Sequence, residues 1–133
     1  MLLNDTLTPE ERIREFDDLE RCIRLMEKNI TEHPESFPDG ISMKDEEEDF
    51  ELIMYADEKG AYAALKRNGI TEGISVDLMV ELAKRHYLLT HSGYELLACA
   101  VIKSGRKKVI TLGPDTLTLD PKGNDVEITY EEG

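Results

Sequence analysis

Positive charge is scarce in this 133-residue sequence, where 16 Lys and Arg stand against 29 Asp and Glu, a formal net charge of −13. Phosphate backbones and anionic membranes are held by the Lys and Arg that neutralise them, so direct nucleic-acid and membrane binding are disfavoured. Cysteine is nearly absent. Cys22 and Cys99 stand far apart, each inside an apolar pattern, which excludes a disulfide framework and predicts buried free thiols in a reducing compartment, the cytoplasm. No stretch approaches the ~18 apolar residues that span a bilayer. The opening "MLLNDTLTPEE" has no basic region followed by an apolar segment, so no signal peptide is expected.

Catalytic motifs are missing as well. There is no G-x-S-x-G elbow and no phosphate loop, and neither cysteine has the electropositive or glycine-rich setting that lowers a thiol pKa. His33, His86 and His91 do not pair with each other or with the cysteines at zinc spacing. The acids of "DEEEDFE" are contiguous and lack the turn of a calcium loop; at most Glu47 and Glu51, one helical turn apart, could share an ion. No catalytic residue, metal or cofactor is therefore expected, and the chain reads as a non-enzyme.

What is present begins with a well-marked helix. Thr8 reads as an N-cap, Pro9 as the first helical residue and Glu11 as the partner of a capping box. Phe16, Leu19, Ile23, Met26 and Ile30 then recur at three- and four-residue steps, predicting a helix over 9–29 that "HPESFPDG" ends. The same stripe suits a short coiled-coil seam, so a homo-oligomer through helix 9–29 is one expectation.

Ser42 and the acids after it read as the start of a second helix carrying Phe50, Ile53, Met54, Ala61, Ala64 and Leu65; a strand "FELIMYA" turning at "DEKG" is the alternative. "NGITEGIS" reads as a loop, with Asn68 and Gly69 as a helix exit and Ser75 capping a third helix from Val76. A fourth helix follows around Tyr94 and ends at Gly105. The order helix, turn, helix, strands is that of a winged-helix DNA reader, but the reading helix would be the apolar "SGYELLACAVIKSG", which predicts burial rather than a groove contact.

From Lys107 the period changes to two: "KKVITL", "TLTLD" and "VEITY" are short strands separated by "GPD" and "PKGND". The fold expected is α+β, about four helices followed by a small C-terminal antiparallel β-hairpin or three-stranded meander. It forms one domain over 1–133, mainly helical over 8–104 and mainly β over 107–131.

Two charge clusters remain. Glu48, Asp49 and Glu51, with Asp57 and Glu58, have no helix-end role and are the expected partner-binding residues; Asp125, Glu127, Glu131 and Glu132 add acids at the C-terminus. Together they point to a protein that presents a nucleic-acid-like negative surface to a basic nucleic-acid-processing protein, an inhibitor of the kind used in phage and host conflict. Lys103, Arg106, Lys107 and Lys108 form the one basic cluster. They complement a helix C-terminus or, alternatively, hold a phosphorylated small molecule. The remaining alternative is an assembly subunit of a small homo-oligomer.

Overall fold

A computed structural model describes residues 7–45, 47–90 and 92–133; Glu46 and His91 lie outside them. Among the described residues the elements are α1 (Pro9–Glu32), β1 (Ile41–Asp45), β2 (Phe50–Asp57), β3 (Gly60–Arg67), β4 (Ile70–Ile74), α2 (Val76–Leu89), α3 (Gly93–Ser104), β5 (Lys108–Leu112), β6 (Asp115–Lys122) and β7 (Asp125–Glu131). There are thus three α-helices and two antiparallel sheets, ordered β1-β2-β3-β4 and β5-β6-β7. The expectation of about four helices before a small C-terminal hairpin or meander is wrong, because the middle of the chain forms a four-stranded sheet.

The β1–β4 sheet has a local and a tertiary cause. Leu52 and Met54 are fully buried and their β3 counterparts Ala63 and Leu65 nearly so, a period of two that the helical grouping of Ile53 and Met54 had mixed across faces. Alanine's helix propensity is a few tenths of a kcal/mol per residue, too small to oppose burial of such a face. Asn68 and Gly69, expected to end a helix, both take positive φ (55° and 75°) between the paired Arg67 and Ile70. That is a type I′ turn, which Asn-Gly favours because both central residues need positive φ. Ser42, expected as a helix cap, lies within β1 opposite Ile53.

The chain divides into two compact units, 1–18 with 84–133 and 19–83, so α1 and α2 each contribute residues to both. In the unit of residues 19–83, Ile23 and Ile30 of α1 and Val76, Met79, Val80 and Ala83 of α2 join Leu52, Met54, Ala63 and Leu65 in one core. The α1 stripe is therefore occupied inside the chain. Ser75 caps α2, its Oγ accepting the Leu78 N–H at 3.0 Å.

In the other unit α1 starts at the capping box. The Thr8 N–H donates to Glu11 at 2.9 Å and the Glu11 N–H to Thr8 Oγ1 at 3.1 Å, and the Thr8 bonds hold the Glu11 carboxyl below its usual range. Phe16 packs edge-on against Tyr87, ring centroids 5.3 Å apart. α3 packs against β6 and β7 and buries Leu97, Ala98, Ala100 and Val101, the burial its apolar sequence predicts. Its first residue must be glycine: a Cβ on Gly93 would stand 1.9 Å from the Tyr87 carbonyl oxygen. Gly105 ends α3 at φ 70°, its N–H donating to the Val101 carbonyl.

Candidate functional site

The expected partner-binding acids do not converge. Glu48 and Asp49 lie in the loop between β1 and β2, while Asp57 and Glu58 lie at the β2–β3 turn. The whole of β2 separates the two groups, ~23 Å at 3.3 Å per residue. Asp49 is engaged locally. At φ 49° its carboxylate accepts the Asn68 N–H at 2.9 Å, tying the loop to the type I′ turn. Asp57 likewise accepts the Lys59 N–H at 2.8 Å, closing its own hairpin. Glu51 stands in register between Lys44 of β1 and Lys66 of β3. These three line a cleft of about 350 Å³ with Asp45, Asp49 and Phe50, the acid standing in register with a cation on either neighbouring strand.

The basic cluster loses one member to an ion pair. Lys108 pairs with Asp17 of α1, while Lys103, Arg106 and Lys107 are exposed around the end of α3. There the unpaired carbonyls carry partial negative charge, which favours cations and opposes an anionic ligand. Among the described residues no group of three or more His, Cys, Asp or Glu is placed to hold a metal ion. Cys22 and Cys99 are free, and both are exposed rather than buried as their apolar settings suggested; each sits on the solvent side of its helix. No helix among the described residues is long and apolar enough to cross a membrane.

One polar cluster escaped the sequence reading, because its members lie far apart in the chain. Arg85 of α2 donates to Asp115 Oδ2 at 3.0 Å and to the Tyr130 hydroxyl at 3.2 Å, while that hydroxyl and the Gly133 N–H also donate to Asp115. The Tyr130 bond, then the Gly133 amide and Arg85, hold the Asp115 carboxyl below its usual range. The cluster ties α2, the β5–β6 turn and β7 together. Its carboxylate accepts from three donors, so its chemistry is that of a clamp.

Three of the C-terminal acids, Asp125, Glu127 and Glu131, in contrast, do form one surface, while Glu132 lies beyond β7. In β5–β7 the register places Ile110, Leu117, Leu119, Ile128 and Tyr130 on one face. Thr116, Thr118, Asp120 and Lys122 of β6, with Asp125, Glu127, Thr129 and Glu131 of β7, make the other. All four of these β7 residues are exposed. Side chains two apart stand roughly 6.7 Å from one another, so β7 presents a spaced carboxylate row. Asp120 lies directly opposite Glu127, a like-charge pair that a sheet disfavours; Asp120 is partly relieved by Lys122 at 3.3 Å. The signal was present in the alternation of "DVEITYE", but only the register brings Asp120 beside it.

No protein-family model matches the chain, and neither a curated protein nor a solved structure matches it.

Proposed function

We propose that the protein acts without catalysis, by binding a basic protein surface through the outer face of β5–β7. The observation that carries this reading is the carboxylate row Asp125, Glu127 and Glu131 with Asp120 opposite Glu127. The sheet gains nothing from that juxtaposition, whereas a Lys- or Arg-lined surface built for phosphates gains a complementary field. The partner is therefore of the class that binds nucleic acid, and the protein is its inhibitor. Two free, exposed thiols suit a reducing compartment, and we place the protein in the cytoplasm.

The test compares the wild-type protein with a variant carrying Asp120→Asn, Glu127→Gln and Glu131→Gln, each immobilised in a nuclease-rich lysate at low salt. The wild type is expected to retain a basic protein, released by salt, that the variant does not. Equal retention by both, or none by either, overturns the reading.

A further inference from the structure

The outer edge of β7 offers a second recognition element, and the ladder geometry identifies its atoms. Lys122 and Asp125 flank a two-residue loop, so they form a hydrogen-bonded pair, and bonded pairs then alternate along the strand. Asp125, Glu127, Thr129 and Glu131 exchange both backbone bonds with β6. Val126, Ile128 and Tyr130 turn their N–H and C=O groups away from it. Pro121, with no N–H to give, stands opposite Val126, as this alternation allows. The Val126 N–H is covered by the Asp125 carboxylate at 2.8 Å, which leaves the amides of Ile128 and Tyr130. Among the described residues β7 pairs with β6 alone.

The opposite edge of the same sheet is treated differently. On β5 the same alternation turns the Thr111 carbonyl outward, and it accepts a bond from Lys84 at 3.1 Å; Lys84 is itself buried. The side chains along β7 fit an incoming strand as well. Ile128 and Tyr130, on the apolar face, remain 45% and 46% exposed, while the alternate positions carry the acids. A second copy of this chain is a poor occupant. Antiparallel pairing centred on Ile128 sets Asp125 against Glu131, and centring on Thr129 sets Glu127 against Glu131, and like charges directly opposite destabilise a sheet.

We propose that β7 accepts an extended segment of the partner by strand addition, a segment alternating Lys or Arg with apolar residues. The basic side chains face Asp125, Glu127 and Glu131, the apolar ones cover Ile128 and Tyr130, and the Ile128 and Tyr130 amides join the ladder. The choice of a basic segment rests on the acidic-surface reading above; the strand addition itself rests on the edge geometry.

The probe is a short synthetic peptide alternating lysine with valine, offered to the full chain, with amide hydrogen exchange as the readout. Binding is expected to slow exchange at Ile128 and Tyr130, and a peptide alternating glutamate with valine is expected not to bind. Ile128→Pro removes an outward N–H and no β6–β7 bond, so it is expected to weaken binding on the order of tenfold. Exchange of the β6–β7 amides in that variant checks that the hairpin survives, and Glu127→Lys with Glu131→Lys, which is expected to reverse the peptide preference, needs no proline. Peptide binding that leaves both amides exchanging as before, or pairing of β7 with a second copy instead, overturns strand addition and leaves the acidic surface standing. Protection by both peptides alike overturns the acidic reading and leaves strand addition standing; binding of neither overturns strand addition.

Discussion

On the outer face of β1–β4, Glu51 lies between Lys44 and Lys66, whereas on the outer face of β5–β7 Glu127 lies opposite Asp120. The first sheet sets its acid in register between two cations; the second sets it against another acid, and Lys122 pairs with Asp120 while Glu127 has no cation opposite it. The apolar faces differ in the same sense. Leu52, Met54, Ala63 and Leu65 are closed off by α1 and α2, while Ile128 and Tyr130 stay half-exposed at the edge of the smaller sheet. A surplus of acid is thus no guide to a binding surface until the register shows which acids have cations opposite them.

The largest expected effect tests whether the two sheets are separate cores. Leu52 and Leu119 are both fully buried, and truncating either to alanine is expected to cost roughly 2–5 kcal/mol. Hydrogen exchange is expected to accelerate mainly in β1–β4 for Leu52→Ala and mainly in β5–β7 for Leu119→Ala. Equal acceleration of both sheets by both variants would show one cooperative core.

A smaller effect distinguishes the sheets by pH. Asp115 is held below its usual range by Tyr130, Gly133 and Arg85, so its contribution to stability is fully present above the unfolded-state pKa and is lost as pH falls through the folded one. Acidification through and below the ordinary carboxylate range is therefore expected to loosen β7 and the β5–β6 turn. Asp115→Asn is expected to remove that part of the pH dependence; an unchanged profile in denaturant unfolding would show that the clamp contributes nothing.

The smallest effect has opposite signs in the two sheets. Glu127→Gln removes a like-charge pair without touching the Asp120–Lys122 ion pair and is expected to stabilise by a few tenths of a kcal/mol, whereas Glu51→Gln removes a carboxylate set in register between two lysines and is expected to destabilise by about as much. Both are read from urea midpoints at low salt, and added salt is expected to shrink both differences. The same sign for both would remove the distinction between a neutralised and an unneutralised face.

The acids themselves divide between these outcomes. Sequence spacing singled out Glu48, Asp49, Glu51, Asp57 and Glu58 because they had no helix-end role. The structure gives Asp57 a turn-closing hydrogen bond, Asp49 a bond from the Asn68 amide of another turn and Glu51 two cationic neighbours in register. Sequence spacing had no means of finding the distant partners, since Asn68 and Lys66 lie well over ten residues away. The C-terminal acids were visible in the sequence, but Asp120 joins them only through pairing with Glu127.

Determined by sequence alone were the features that depend on a few neighbouring residues. The capping box at Thr8 and Glu11 starts α1, Ser75 starts α2 and Gly105 stops α3. The change to period two after Lys107 is likewise realised in β5, β6 and β7. Each cap and stop rests on a hydrogen bond or a steric restriction spanning about four residues, so no distant partner is needed. Tertiary structure alone decided the conformation of 50–65. Its apolar residues fit both periods, and burying Leu52, Met54, Ala63 and Leu65 together against α1 and α2 selected the strand.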